Sequence, residues 1–287
     1  MKTPSVFSII GVAAACLATA GSAGAGTLKC PPDSVKVGNV CIDTYEASVW
    51  QIPPSNTALV KLVEAGKATL ANLTAGGATQ LGVPSPNCNG SEYPYNFPSD
   101  GNWTPAGSNP PSPGVYAVSI PGVQPAACVS WFQANLACRF SGKRLLRNDE
   151  WQAAAQGTPT PGTDNQTTDC NVGLGGLGDH AVNTGSRWNC QSTLGVFDMV
   201  GNVEEWVADW ADRADSCTGW ASSIWPIAGN DLVCLGGPGG GGSNSLPGAF
   251  IRGGSFLGGW HAGVFQVDAR HEPSLSSYFN IGFRCAR

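Results

Sequence analysis

The chain has 287 residues, of which only 12% are charged, and its formal net charge is −5. Soluble domains carry about 25% charged residues, and a surface that binds duplex nucleic acid needs clustered cations, which this sequence lacks. The length is sufficient for a domain with a sizeable core, and we expect no nucleic-acid partner.

The first 25 residues have the three parts of a secretory signal peptide. Lys2 supplies an early cation, an apolar run extends from Val6 to Ala20, and small residues precede residue 26. We therefore expect residues 1–25 to be a removed signal peptide and residues 26–287 to form a single domain. The expected location is secreted, periplasmic or at the cell surface.

Two further features of the sequence bear on the membrane. The early apolar run is too short to span a bilayer, and no later stretch approaches 18 uninterrupted apolar residues. We therefore expect no membrane-embedded segment. Cys16 follows three alanines, so a lipoprotein anchored through this cysteine remains an alternative to free secretion.

The cysteine count indicates disulfides. Ten of the eleven cysteines follow residue 25, and an even number in an exported chain is typical of a disulfide framework. No Cys-x-x-Cys pair occurs and the chain has only three histidines, so we expect neither zinc nor an iron–sulfur cluster.

The segment Cys30–Ala47 predicts a β-hairpin. Two short β-type runs, Val35–Val40 and Cys41–Tyr45, meet at the turn dipeptide Gly38-Asn39. A bridge between Cys30 and Cys41 would close this hairpin.

Residues 84–114 then change in composition to Pro, Asn, Gly and Ser, which predicts an irregular insertion at the surface.

Two helices are predicted next. The first covers Val129–Ser141, with Trp131, Asn135 and Cys138 near one face, and stops at Gly142. The second covers Asn148–Gln156 and opens with acidic residues.

The remaining sequence predicts little helix and only brief strands. Residues 236–242 are all glycine except Pro238, which predicts a loop with almost no side chains to pack. Between the two helices, Lys143 and Arg144 are expected to pair with nearby acids or helix carbonyls, and not to bind an anion.

Three stretches, in this order, resemble one known family. The first runs from Val129-Ser130-Trp131 through Gly142-Lys143-Arg144-Leu145 to Glu150-Trp151. The second is Gly195–Trp206, and the third comprises Arg252-Gly253-Gly254-Ser255-Phe256 and Ile281-Gly282-Phe283-Arg284-Cys285. Together they resemble the formylglycine-generating enzyme, or sulfatase-modifying factor, family over roughly residues 30–287. The resemblance implies an α+β fold, the C-type-lectin-like fold of this family, with low regular secondary structure and disulfide staples.

The resemblance also implies disulfide pairs and structural calcium. Cys138 and Cys285 would form one bridge, and proximity suggests Cys170–Cys190 and Cys217–Cys234, which leaves Cys88–Cys128. One calcium would bind the side chains of Asp198 and Glu205 with the carbonyls of Gly201 and Val203, oxygen donors of the kind calcium prefers. A second calcium site would begin at Asn171 and Val172. The alternative at the first site is a capped turn with a solvated Glu205.

The family's copper-binding cysteine pair is missing. The matching positions hold Gly258 and either Ala262 or Gly263, and no cysteine occurs between Ile251 and Arg284. Because paired thiolates select copper, we expect no copper and none of the family's oxidation chemistry. The sequence therefore favours a protein that is not an enzyme. The alternative is an oxidoreductase with an unrecognised iron or copper site, formed by His261 and His271 with Asp268 or Glu272.

The segment 257–280, which lies between the two fixed motifs of residues 252–287, is similar to the variable proteins that retroelements diversify. In those proteins the C-terminal segment displays ligand-binding side chains on the same lectin-like fold. Alternation along Val264–Ala269 predicts a strand with one face inward. We therefore predict an exported protein that binds a protein or glycan ligand. The predicted contact residues mix aromatic, aliphatic and polar groups: Leu257, Trp260, His261, Gln266, Asp268, Arg270, His271, Leu275, Ser277, Tyr278 and Phe279.

Overall fold

The structure is a computed structural model that describes residues 28–100, 114–160, 164–174, 180–211, 217–219, 232–234, 247–276 and 278–287. For residues 217–219 and 232–234 the description covers the backbone. The predicted signal peptide, Cys16, the glycine-rich loop at 236–242 and most of the second half of the 84–114 insertion lie outside these residues.

The described elements alternate short strands with short helices. The helices are α1 (Thr57–Glu64), α2 (Leu70–Ala75), α3 (Trp131–Phe140) and α4 (Asn148–Ala154). The strands are β1 (Ser34–Val37), β2 (Val40–Asp43), β3 (Ser48–Gln51), β4 (Thr79–Leu81), β5 (Val115–Val118), β6 (Arg144–Leu145), β7 (Glu204–Ala211), β8 (Cys217–Gly219), β9 (Leu232–Cys234), β10 (Gly248–Gly253), β11 (Gly263–Asp268), β12 (Ile281–Phe283) and β13 (Cys285–Ala286). Long stretches between them are irregular, as the composition predicted.

Three sheets organise these strands. Within the described residues their orders are β1-β2-β13-β6, β4-β3-β5 and β12-β7-β10-β11-β9-β8. The C-terminal strand β13 lies between the N-terminal hairpin and β6, so the two ends of the domain share one sheet. Among the helices described, none is long and apolar enough to cross a bilayer.

The predicted hairpin and both predicted helices are confirmed. Strands β1 and β2 pair antiparallel around Gly38, which takes a positive φ of 58°. Helix α3 begins after Ser130, whose hydroxyl accepts from the backbone N–H of Gln133 in a capping box. Its buried face carries Gln133, Ala134, Ala137 and Cys138. Trp131 and Asn135 are partly buried, and Trp131 packs against the same apolar cluster as Cys138.

Helices α1 and α2 and the sheet β4-β3-β5 were not predicted. Leu59 and Val63 on α1 and Leu73 on α2 pack against this sheet in one apolar cluster. The helix signals were present: Asn56 and Thr69 cap the two helices through their side chains. Helix α1 also has an apolar side, which carries Leu59 and Val63, whereas α2 is too short to show an apolar period.

The insertion is anchored in the core, which its composition did not indicate. Tyr93 and Phe97 are buried in the largest apolar cluster, beside Trp206 and Phe283. The Tyr93 hydroxyl donates to the carbonyl of Ala127 over 3.0 Å. The expectation of a surface insertion was therefore wrong for these two rings.

Four of the predicted disulfides are present: Cys30–Cys41, Cys88–Cys128, Cys138–Cys285 and Cys170–Cys190. The Cys217–Cys234 bridge involves side chains outside the described residues, although the backbone register pairs these two positions across β8 and β9. Cys138–Cys285 joins α3 to β13, and its two cysteines are 147 residues apart in the sequence.

The structural role predicted for Lys143 and Arg144 is confirmed. The Lys143 ammonium is fully buried and contacts Asp33 and Asp43, each over 2.6 Å. Arg144 forms a bidentate pair with Glu150 at the start of α4, with both distances 2.6 Å. These cations therefore hold the N-terminal hairpin and α4 together.

Candidate ligand-binding surface

Arg252, in the first fixed motif, is the central buried cation of the C-terminal region. Its guanidinium donates to the carbonyls of Val264 and Gln266, over 3.0 and 2.7 Å. It also donates to the side chains of Asn148 and Gln152 on α4 and lies 4.4 Å from the Trp151 ring centroid. Arg252 therefore fixes β11, which lies within the segment between the motifs, to α4.

Arg284, in the second fixed motif, is fully buried beside Glu205. Three hydrogen bonds of 2.6 to 2.9 Å join its guanidinium to the two Glu205 oxygens. The same guanidinium donates to the carbonyl of Phe197, and the Trp151 indole N–H donates to Glu205 over 2.8 Å. A buried charge pair is tolerated when its remaining hydrogen-bonding capacity is used, as it is here.

The glycines of the first motif are required by close packing. Gly253 and Gly254 both take positive φ values, 88° and 78°. A Cβ on Gly254 would lie 2.5 Å from the Cα and Cβ of Ala262, and a Cβ on Gly258 would lie 2.9 Å from the Cβ of Ala262. The positions that match the family's cysteine pair are therefore filled by direct contact of small residues.

Strand β11 directs its polar residues inward. The predicted strand is present, and its alternation buries Val264, Gln266 and Asp268. Gln266 and Asp268 are each 1% exposed, and the Gln266 amide oxygen accepts from the N–H of Gly254 over 3.1 Å. These two predicted contact residues are therefore buried beneath the surface. They point toward the core because they lie on the inward side of β11, the strand that Arg252 binds.

The outward side of the segment carries large apolar groups. Leu257 is 53% exposed and Trp260 is 54% exposed, on and beside the 3₁₀ turn Gly259–His261. His261, Arg270 and Leu275 are also exposed, whereas Ser277 lies outside the described residues. The turn is held at its base, since the Gly259 N–H donates to the carbonyl of Val172 over 2.7 Å.

A polar and aromatic group follows β11. Arg270 pairs with Asp268 over 2.8 Å, and the hydrogen bond to Asp268 raises the pKa of the guanidinium. The His271 ring packs edge-on against Tyr278 with centroids 4.4 Å apart. Burial lowers the pKa of His271, although the Asp268 carboxylate, 3.7 Å away, opposes this shift. His271 is therefore a neutral ring at neutral pH.

Ser255 joins the two ends of the segment. Its hydroxyl oxygen accepts from the Leu257 N–H and from the Asn280 side-chain amide, over 3.3 and 3.2 Å. Beside this contact, Phe279 packs on Phe256 with centroids 5.9 Å apart. Both rings line a cavity of about 250 Å³ whose other walls are Val83, Pro84, Pro86, Gln124, His180 and Ala181.

Glu204 is a site residue that the sequence did not single out. Its side chain lies at the start of β7, where Asn280 donates to it over 3.5 Å. Burial, and secondarily the charge of Asp268, raise the pKa of Glu204 to about 8, against the lowering effect of Arg270. The sequence did not indicate Glu204 because its neighbour, Glu205, occupies the motif position. Only the fold shows how far each of the two carboxylates is buried.

The side chains expected at the first calcium site make hydrogen bonds within the protein, and calcium binding there stays a prediction. Both oxygens of Glu205 accept from Arg284, and one also accepts from Trp151. Asp198 accepts from the Gly185 N–H over 2.7 Å, and burial raises its pKa to about 7. Arg284 thus places a positive charge beside Glu205, one of the expected ligands. The solvated Glu205 of the alternative interpretation was also wrong, since this side chain is buried.

The carbonyls of Gly201 and Val203 lie in the same buried turn. Here Glu46 accepts from the N–H of Val203 over 3.0 Å and from the Asn202 amide. Burial, together with the charges of Asp198 and Glu205, raises the pKa of Glu46 well above its ordinary value. Protein N–H groups therefore satisfy the acids of this turn.

At the second expected calcium site two backbone carbonyls accept hydrogen bonds, and calcium binding there also stays a prediction. The carbonyl of Asn171 accepts from the Asn202 N–H, and the carbonyl of Val172 accepts from the Gly259 N–H, each over 2.7 Å. The Asn171 amide donates to the carbonyl of His180. Asn171 and Val172 thus act as a support beneath the Trp260 turn.

The alternative metal site of two histidines and an acid is not assembled. Among the described residues, the one group of three side chains that gathers His, Cys, Asp or Glu ligand atoms within 4.8 Å is Cys88, Glu92 and Cys128. His261, His271, Asp268 and Glu272 are all described, and they do not converge in this way. Among the described residues, these four side chains are therefore not gathered into a three-ligand group.

Comparison with known proteins identifies the family. Residues 14–287 match the model of the sulfatase-modifying factor enzyme 1-like domain. The formylglycine-generating enzyme of Streptomyces coelicolor is 31% identical over 195 residues, 56% of this chain and 52% of that protein. An inactive C-alpha-formylglycine-generating enzyme 2 of Bos taurus is 33% identical over 104 residues, 32% of this chain and 35% of that protein. The chain spans about half or less of these relatives.

Solved structures with some likeness include two kinds of variable protein. The Major Tropism Determinant I1 Variant is 20% identical with a TM-score of 0.42, covering 89% of this chain and 52% of that chain. The Treponema denticola variable protein 1 is 21% identical with a TM-score of 0.35, covering 56% of this chain and 70% of that chain.

Proposed function

The chain belongs to the sulfatase-modifying factor enzyme 1-like family, with its C-type-lectin-like fold, and we propose that it is an exported ligand-binding member of that family. The observation that carries this proposal is the exposure of Leu257 and Trp260 beside the positions that match the family's cysteine pair. Those positions hold small residues, Gly258 and either Ala262 or Gly263, and a Cβ on Gly258 would lie 2.9 Å from the Cβ of Ala262. One relative in the comparison is itself named an inactive enzyme.

The composition of the outward side supports recognition. Exposed aromatic and aliphatic side chains beside a cation and a neutral histidine are typical of contact residues at interfaces. These side chains are mounted on a turn and loops that Arg252, Ser255 and Val172 hold by hydrogen bonds. A rigid support lowers the entropy lost on binding. The binding set is Leu257, Trp260, His261, Arg270, His271, Leu275, Tyr278 and Phe279, together with Ser277 from the sequence.

The proposal of export rests on the disulfides and the N-terminal pattern. Four bridges in the described residues suit an oxidising compartment, where disulfides form and persist. N-terminal sequencing of the protein from culture fractions tests this proposal. A mature N-terminus near residue 26 is expected, whereas a lipid-modified Cys16 would indicate the anchored form.

We further propose that residues 257–280 are diversified by a retroelement. The two flanking motifs are buried and tolerate little change, while the side chains between them include an exposed set. The test is in the surrounding DNA. A reverse transcriptase gene and a near-copy of these codons that differs at template adenines are expected, and their absence removes diversification without removing ligand binding.

Ligand binding is tested with arrays of glycans and of surface proteins from the neighbouring organisms. Trp260→Ala should reduce retention of any bound ligand by at least tenfold, because a central aromatic anchor contributes about 2 kcal/mol or more. Trp188→Ala is the matched control, since Trp188 is 64% exposed but lies outside the segment.

The oxidase alternative is tested in the same preparation. Stoichiometric copper or iron that survives chelation, with oxygen-dependent turnover of a cysteine peptide, would overturn the binding proposal. Equal loss of ligand in the Trp188→Ala and Trp260→Ala variants would also contradict it, because the contact surface would then not be the segment 257–279.

A further inference from the structure

The disulfide Cys88–Cys128 lies beside a carboxylate. The two sulfur atoms and a carboxylate oxygen of Glu92 all lie within 4.8 Å of one another. Cys88 and Glu92 are partly exposed, whereas Cys128 is buried. The group therefore stands at the edge of the protein, with one sulfur accessible and one enclosed.

The Glu92 carboxylate is oriented by the turn before it. One oxygen accepts from the Asn89 N–H over 2.7 Å, and the other accepts from the Gly90 N–H over 2.8 Å. Hydrogen bonds of this kind hold a carboxylate in a fixed direction, as they do for metal ligands. Glu92 is thus held beside the sulfurs by the backbone and not by a flexible side chain alone.

We propose that reduction of this disulfide creates a zinc site made of Cys88, Cys128 and Glu92. A dithiol reductant would transfer two electrons and two protons to the bridge, giving two cysteine thiols and an oxidised reductant disulfide. Zinc then displaces the two thiol protons and binds two thiolates and one carboxylate oxygen, with water as the fourth ligand. Ligand atoms around tetrahedral zinc lie about 3.5–4 Å apart, which small side-chain rotations of the present group would reach.

The other described bridges do not share this arrangement. Cys138–Cys285 and Cys170–Cys190 are buried, and in the described part of the chain neither they nor Cys30–Cys41 join a third ligand within 4.8 Å. Spacing along the chain gave no sign of the site, because positions 88, 92 and 128 meet only through the anchoring of the insertion.

Cys128 is also distinguished by its backbone. Its φ of 53° lies in the left-handed region that non-glycine residues rarely adopt. The Cys128 N–H donates to the carbonyl of Tyr278 over 3.0 Å, and the next carbonyl back, of Ala127, accepts from the Tyr93 hydroxyl. A metal at this point would keep the insertion attached to the wall of the 257–279 segment after the covalent bridge is broken.

The proposal is tested by reducing the full-length protein stepwise with a phosphine, mapping the thiols by mass spectrometry and titrating zinc against a chromophoric chelator. Cys88–Cys128 should be reduced before the buried bridges Cys138–Cys285 and Cys170–Cys190, and the reduced protein should gain one zinc per chain. Cobalt should give a thiolate-to-metal charge-transfer band. Neither signal should arise before reduction.

Glu92→Gln separates a built site from free thiols. This variant should weaken zinc binding by about tenfold or more, because metal affinity depends on each oriented ligand. Glu272→Gln, at an exposed acid elsewhere, should leave it unchanged. A reduced chain that had unfolded would bind zinc through its cysteines whatever residue stands at 92. The proposal would be overturned by equal zinc affinity of wild type and Glu92→Gln, or by no zinc gained on reduction. Reduction of a buried bridge before Cys88–Cys128 would also overturn it.

Discussion

The two fixed motifs, 252–256 and 281–285, differ from the segment between them in how their polar groups are used. Arg252 and Arg284 are buried, and both cations bind side chains and carbonyls of distant elements. In the segment, Leu257 and Trp260 project outward from a turn that is fixed only at its base. The motif side chains therefore hold the fold together, whereas Leu257 and Trp260 in the segment remain exposed at the surface.

The boundary between the two regions does not follow the sequence. Gln266 and Asp268 lie inside the segment but are buried with the motifs, where Gln266 binds the Gly254 N–H. Substitution there should act on stability and not on binding. Whether a side chain of the segment is buried therefore depends on the direction in which it points, and not on its place in the sequence.

The largest effect is expected for Arg284→Ala, which removes the cation beside buried Glu205. An uncompensated buried charge costs about 3–5 kcal/mol of the free energy of unfolding. Chemical denaturation should show this loss, while the exposed Arg139→Ala should change the value by less than about 0.5 kcal/mol. A small effect of Arg284→Ala would mean that the motif charges are not essential to the fold.

Arg252→Ala should follow, with a loss of about 2–3 kcal/mol from its hydrogen bonds and its contact with Trp151. Hydrogen exchange of the β11 amides should rise in this variant, because Arg252 binds the Val264 and Gln266 carbonyls. Unchanged exchange in β11 would contradict the assigned link between motif and segment.

Glu204→Gln should change how the stability of the protein depends on pH. The pKa of Glu204 is raised from 4.5 to about 8, so the folded state binds the proton more tightly than the unfolded state does. Its contribution to stability is present below pH 4.5 and is lost as the pH rises toward 8. The variant, which cannot ionise, should match wild type at pH 4.5 and exceed its melting temperature at pH 8.5. A constant difference across this range would contradict the raised pKa.

The smallest effect on stability is expected for Trp260→Ala. More than half of this side chain is exposed, so the free energy of unfolding should change by less than about 0.5 kcal/mol. Phe256→Ala, four residues earlier and 1% exposed, should lose about 3 kcal/mol or more. Calorimetry of the two variants compares the stability contributed by an exposed ring and by a buried one. A large loss of stability in Trp260→Ala would place that ring in the core.

Local signals predicted the elements that local chemistry controls. The Gly38-Asn39 turn, the two middle helices and four bridges were predicted, because a turn dipeptide, a helix stop, neighbouring cysteines and a family motif are all visible along the chain. Helix α1 was missed although its apolar side, with Leu59 and Val63, is present in the sequence, and α2 was missed because six residues contain too few turns to establish a period.

The sequence by itself determined the family, the missing cysteine pair and the segment in which the candidate surface lies, since each of these depends on residue identity and order. Only the tertiary structure decided that Gln266 and Asp268 face inward, that Arg284 pairs with buried Glu205, and that Glu92 meets Cys88 and Cys128. Strand register, long-range charge pairing and the anchoring of the insertion cause these outcomes, and each depends on residues far apart in the chain.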